Sequence, residues 1–351
     1  MIQFSPEQIT EELQEFAARL AQGAKMLGEV GEIEAGVSPR DPVYQEDKLT
    51  LYRYRPRVAQ PHPVPLLIVY ALVNRPYMMD LQEDRSLIRG LLDAGLDVYL
   101  IDWGYADAED RWLTLGDYVH RYIGHCVDVL RERCAQDTIN LLGVCQGGAL
   151  SLCFAALYPA KIRNLITMVT PVDFHTPDNL LTHLIRHVEV DALVDTFGNL
   201  PGQMLNFTFL SLSPFRLTGQ KYVDVVDILD DVQALKNFLR MEKWIFDSPD
   251  QAGEAFRQFA KEFFQQNKLV RGEVMIGEQR VELRNITMPV LNVYATQDHL
   301  VPPAASKALA EHCGSRDYSE FSFKGGHIGI YVSSRAQREV PPTIASWLLE
   351  R

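Results

Sequence analysis

A cysteine stands where the run Leu141-Leu142-Gly143-Val144-Cys145-Gln146-Gly147-Gly148 passes from apolar residues into small ones. The pattern Gly-x-Cys-x-Gly is that of a nucleophile elbow, with sulfur in place of the oxygen of serine. A nucleophile on so tight a strand-to-helix turn needs neighbours without bulk two positions before and two after. Its side chain then projects over a helix N-terminus, whose free N–H groups and partial positive charge favour a thiolate. Taken alone, the motif reads equally well as a buried structural cysteine beside a Gly-rich turn. Two later residues tip the balance. Asp298 follows the apolar run 288–295, and His327 follows the alternating run 318–323 inside Gly325-Gly326-His327. His327 is suited to take the Cys145 proton, and Asp298 to orient His327 and stabilise its imidazolium form.

The elements that must position these residues are readable as alternating strands and helices. Strands are expected at 48–54, 66–70, 97–103, 139–144, 162–169, 288–295 and 318–323, and helices at 81–94, 116–135, 146–158 and 336–350. Runs such as Leu66-Leu67-Ile68-Val69-Tyr70 are apolar throughout, as strands buried on both faces are. The alternation predicts a mostly parallel central sheet with helices on both faces, whose site lies at the carboxyl ends of the strands. Nucleophile, acid and histidine in that chain order, each past a strand, are the signature of the α/β-hydrolase fold. The oxyanion hole should then use the main-chain N–H of Gln146 and a second donor from the loop after strand 66–70, Val73 or Asn74. Residues 175–285 break the alternation. They are aromatic-rich and mainly helical, and read as a cap inserted between core segments 31–174 and 286–351. Residues 1–30 carry an amphipathic helix over 5–27, capped by Ser5, that packs on its own domain or on a partner.

Sulfur at the elbow bears on the reaction. An acyl group on Cys145 is still a thioester, so its passage to an alcohol remains downhill. That favours acyl transfer from a thioester over ester hydrolysis, with a thiol-dependent hydrolase or thioesterase as the alternative. His299, beside Asp298, and Tyr77, in the loop after strand 66–70, are candidate substrate contacts, and Arg75 a candidate partner for a phosphate. His183 and His187 have metal-ligand spacing but lack the accompanying glutamate, so no metal is expected.

Composition narrows the setting. The 351 residues carry a net charge of -12, with 47% hydrophobic residues. An acidic surface argues against a nucleic-acid partner. No segment approaches the roughly 18 unbroken apolar residues of a membrane span, and no signal peptide is visible. The five cysteines show no disulfide or zinc spacing, as in a reducing cytoplasm.

The chain resembles the catalytic subunit of class III polyhydroxyalkanoate synthases. The likeness rests on Gly143 to Gly148, on Tyr70 to Tyr77 with Asn74-Arg75-Pro76-Tyr77, and on Val98 to Gly104. It continues through Thr170 to Phe174, Gln297 to Pro303 and Gly325 to Tyr331. The resemblance implies polymerisation of (R)-3-hydroxyacyl-CoA, chiefly short-chain units such as 3-hydroxybutyryl-CoA, with release of CoA and the growing chain on Cys145. It implies that the acid at Asp298 also activates the 3-hydroxyl of the incoming unit. It further implies a cap that opens on activation, a homodimer or hetero-oligomer, and a non-catalytic companion subunit. The product would collect as cytoplasmic polyester granules whose surface the protein contacts, and no metal or organic cofactor is expected.

Overall fold

The computed structural model describes residues 33–212, 225–229 and 231–351. The expected helix over 5–27 lies outside the described residues. Eight strands form one sheet: β1 (Arg40–Glu46), β2 (Leu49–Tyr54), β3 (Leu66–Val69), β4 (Val98–Asp102), β5 (Ile139–Val144), β6 (Ile162–Met168), β7 (Val290–Ala295) and β8 (Tyr318–Phe323). Their spatial order is β1-β2-β4-β3-β5-β6-β7-β8. Strand β2 runs antiparallel to β1 and β4, and the other pairs are parallel. Every residue of β3, β4, β5 and β7 is buried, which explains why their sequences are apolar apart from Asp102, Asn140 and Asn292. At the edges, β1 and β8 keep exposed positions.

The pleat sends alternate side chains into two cores. Leu67, Tyr99 and Leu141 join one, with Val127 and Leu130 of helix α2 (Gly124–Arg133) and Leu150 and Phe154 of helix α3 (Gln146–Leu157). Leu66, Ile68, Leu100 and Leu142 join the other. There they meet Ile88 and Leu91 of helix α1 (Leu87–Asp93) and Val340, Ile344 and Leu348 of helix α8 (Ser334–Leu349). Helices therefore cover both faces. Because β3, β5, β6, β7 and β8 are parallel, their carboxyl ends share one edge of the sheet.

Two segments differ from the expectation. Residues 80–86 form a small hairpin, Asp80–Gln82 against Arg85–Ser86, where a helix from residue 81 is expected. The cause is the buried Asp80 carboxylate, which accepts from Ser38 N–H at 2.7 Å and from the hydroxyls of Ser38 and Ser86 at 2.8 and 2.5 Å. That network keeps the chain extended until Ser86, whose hydroxyl then caps α1 by accepting from Arg89 N–H. The inserted segment also divides. Helices α4 (Val190–Phe197), α5 (Gly202–Ser211) and α6 (Val232–Phe246) form a cover over the carboxyl edge. From helix α7 (Gly253–Gln258) onward, Ala255, Phe259, Phe263, Val274, Ile276 and Val281 share a core with Leu141 and Phe154. This later half is packed into the sheet domain.

Candidate active site

The elbow is built by close approach. A Cβ at Gly143 would sit 2.6 Å from Gly148 Cα, one at Gly147 2.3 Å from Val69 O, and one at Gly148 1.9 Å from Thr170 Oγ1. With these glycines, β5 and α3 meet at Cys145, which takes φ 53° and ψ -122°. A non-glycine residue in that region stores on the order of 1–3 kcal/mol of strain. Several hydrogen bonds hold it there. Cys145 N–H donates to Met168 O at 2.9 Å, and Cys145 O accepts from the N–H groups of Gly148 and Ala149 at 3.0 and 3.3 Å.

Asp298 and His327 are brought to the same place from the ends of β7 and β8. His327 Nδ1 lies 2.6 Å from Asp298 Oδ2. Asp298 Oδ1 accepts from the N–H groups of Leu300 and Val301, each at 2.9 Å. The Asp298 side chain exposes 0% of its surface and His327 7%. Burial alone would lower the affinity of His327 for a proton, but the Asp298 carboxylate and the Cys145 sulfur outweigh it, and the pKa is pushed up to about 10. Cys145 lies close enough to His327 to add to that rise. With Nδ1 committed to Asp298, Nε2 is the nitrogen left for sulfur. The ring of Tyr331 meets His327 edge to face at 6.2 Å and Tyr70 at 6.5 Å.

The residues expected to form the oxyanion hole line the same cavity as Cys145. Gln146 is the first residue of α3, so its N–H has no acceptor within the helix. Its side-chain oxygen accepts from Leu72 N–H at 3.1 Å, which pins the loop after β3 against the elbow, and the next two residues, Val73 and Asn74, line the cavity. Asn74 takes φ 57°. Its side-chain amide is spent on the cover, donating to Trp244 O and Ile245 O at 3.3 and 3.2 Å.

Cys145, Gln146, Val73, Asn74, His299 and His327 line one cavity of about 660 Å³ beneath the cover. Its far wall is apolar, with Leu184, Val188, Leu205, Phe209, Met241 and Phe259 among its residues. Two expected ligand contacts are placed differently. Tyr77 does not line this cavity; its hydroxyl donates to Asp247 Oδ2 at 3.1 Å, beside Tyr105, whose hydroxyl donates to Asp247 Oδ1 at 2.7 Å. Arg75 pairs with Asp102 at 2.8 Å, donates to Gly104 O at 2.6 Å and sits 4.2 Å over the ring of Tyr105. It ties two loops together and is not available to a phosphate. Sequence reasoning also missed the Gln146 side chain as the loop anchor. Only its position after the nucleophile pointed to it.

Among the described residues no helix is long and apolar enough to cross a membrane. Residues 64–333 match the model of the alpha/beta hydrolase fold, and residues 7–91 match that of the poly-beta-hydroxybutyrate polymerase (PhaC) N-terminus. Among solved structures, a monoacylglycerol lipase from Paleococcus ferrophilus shares the fold with a TM-score of 0.54 at 19% identity, covering 86% of this chain and 98% of the lipase. The poly(3-hydroxyalkanoate) polymerase subunit PhaC of Allochromatium vinosum is 61% identical, over 100% of this chain and 99% of its own length. The subunit of the same name from Thiocystis violacea is 58% identical, over 100% of this chain and 99% of its own. With an α/β-hydrolase sheet, a cysteine elbow and full-length identity at this level, the chain belongs to the PhaC family of poly(3-hydroxyalkanoate) polymerases, enzymes of the acyltransferase type.

Proposed function

We propose that the protein polymerises (R)-3-hydroxyacyl-CoA, chiefly short-chain units such as 3-hydroxybutyryl-CoA, into polyester with release of CoA. The observation that carries the reading is the juxtaposition of Cys145 with the buried His327–Asp298 pair at the foot of a covered, apolar cavity. His327 Nε2 takes the Cys145 proton. The thiolate attacks the thioester carbonyl, and the oxyanion is held by the N–H of Gln146 and by Val73 or Asn74. Collapse breaks the bond to the CoA sulfur, which leaves with the proton from His327. In elongation His327 takes the 3-hydroxyl proton of an incoming unit. The freed oxygen attacks the acyl-Cys145 thioester, and the proton passes to Cys145 Sγ. The lengthened chain, now on CoA, returns to Cys145 by the first step. Asp298 acts by orienting His327, because its carboxylate exposes no surface to a substrate hydroxyl. The apolar cover keeps water from competing as the acceptor. As in class III synthases, the protein would work with a non-catalytic companion subunit, in homodimeric or hetero-oligomeric form, at cytoplasmic granules.

Product analysis with 3-hydroxybutyryl-CoA tests the reading, with and without a co-expressed companion. Polymer from the wild type and none from Cys145→Ala is the expected result. Free hydroxy acid as the sole product would make the protein a thioesterase, and undiminished CoA release by Cys145→Ala would remove the nucleophile from the account.

A further inference from the structure

One polar group of the cavity has no role in the chemistry above. Among the described residues, Arg85 is the one Lys or Arg lining the cavity that holds Cys145 and His327. It lies on the small hairpin, which packs against the helix Gly329–Val332 just past His327. Above it passes α6, whose Asn237, Phe238 and Met241 line the same wall, and whose Arg240 donates to Gln82 Oε1 at 3.0 Å. Arg85 is half-buried, which places it at the rim, where hairpin and cover meet.

Its guanidinium is unpaired among the described residues. The Nε–H is buried and meets no acceptor. The acids nearest in the chain are already taken. Asp80 accepts from Ser38 and Ser86, Glu83 pairs with Arg89 at 2.9 Å, and Asp84 accepts from Gln82 at 2.6 Å. Glu242, the one carboxylate among the described wall residues, has an interaction of its own. The Nε–H is enclosed by protein, so the terminal Nη groups are the donors left to meet a ligand in the cavity that Arg85 lines.

We propose that Arg85 receives the phosphate groups of the coenzyme A thioester at the rim of the cavity, fixing which end of the substrate enters first. The proposal rests on the polymerase reading of the site. Such a substrate has an apolar acyl end and a polyanionic end. The apolar wall of the cavity suits the first, and a chain of net charge -12 repels the second unless a local cation offsets that field. A planar guanidinium matches a phosphate with two parallel N–H···O bonds.

The test compares 3-hydroxybutyryl-CoA with the N-acetylcysteamine thioester of the same acid, which lacks the phosphates, in wild type, Arg85→Gln and Arg85→Lys. Arg85→Gln should raise KM for the CoA thioester on the order of ten-fold, the loss of about one charge-assisted hydrogen bond, with kcat retained. KM for the truncated thioester should not move, and Arg85→Lys should restore part of the difference. An equal rise for both thioesters would assign Arg85 to the acyl group or to the fold and overturn the proposal, as would no change for either. Calorimetric binding of free CoA separates this failure from that of the polymerase reading. Wild type that binds CoA no better than Arg85→Gln removes the phosphate site. Differential CoA binding without polymer keeps the site and removes the polymerase.

Discussion

Replacing Asp298 by asparagine separates orientation of the histidine from activation of the substrate hydroxyl. The carboxylate accepts three hydrogen bonds, from Leu300 N–H, Val301 N–H and His327 Nδ1. Asparagine keeps its oxygen for the two main-chain donors and turns an NH2 towards Nδ1. The imidazole must then carry its proton on Nε2, the nitrogen that has to accept from Cys145. In nucleophile–histidine–acid triads this wrong tautomer costs about four decades in kcat, roughly 5 kcal/mol of barrier. The main-chain bonds survive, so the fold should change little. Single-turnover CoA release reports acylation of Cys145, and steady-state release reports elongation. If Asp298 acts through His327, Asp298→Asn lowers both, by three to four decades on the same scale. If Asp298 directly activates the 3-hydroxyl, elongation alone falls. A variant that acylates Cys145 within about ten-fold of the wild-type rate, less than 1.4 kcal/mol of barrier, refutes the orienting role.

Other consequences follow from the same geometry. Gly147→Ala places a Cβ 2.3 Å from Val69 O and 2.4 Å from Tyr70 O. Main chain cannot yield cheaply there, so denaturant unfolding should show a loss of about 3 kcal/mol or more; a loss under about 1 kcal/mol would mean the elbow is looser than described. The raised proton affinity of His327, with a folded pKa of about 10 against about 6.5 unfolded, has a definite sign. Its stabilisation is fully present below about pH 6.5 and lost as pH rises towards the folded value. The Tm difference between wild type and His327→Gln should therefore shrink from neutral to alkaline pH, and a constant or growing difference would contradict the assignment. Asp247→Ala removes the acceptor shared by Tyr77 and Tyr105. Hydrogen exchange should quicken in α6 and stay unchanged in β3, β5 and β7, whereas unchanged exchange in α6 would mean that the clasp does not hold the cover.

What was legible in the sequence follows from how each element is stabilised. Strands buried on both faces are apolar at nearly every position, so β3, β4, β5 and β7 stand out, and the elbow follows from glycines that no other residue can replace there. Cys145, Asp298 and His327 could be placed because chain order and strand ends locate them without knowledge of any contact. Residues whose roles depend on partners distant in sequence could not be placed this way. Arg75 looks like a free cation, but Asp102 and Tyr105 hold it. Tyr77 looks like a site residue, but Asp247 of the cover claims its hydroxyl. The helix expected from residue 81 starts late because Ser38, far upstream, fixes Asp80. The boundary of the cap was hidden for the same reason, since helical sequence alone does not say which core Phe259 and Phe263 join.

The central claim is that Cys145 carries the growing chain. Intact-protein mass spectrometry after quenching a reaction with 3-hydroxybutyryl-CoA, followed by peptide mapping, tests it most directly. The account predicts a ladder of adducts spaced by one hydroxybutyryl unit, confined to the peptide bearing Cys145 and absent from Cys145→Ala. Polymer formation without any adduct on Cys145, or a ladder that persists in Cys145→Ala, would contradict it.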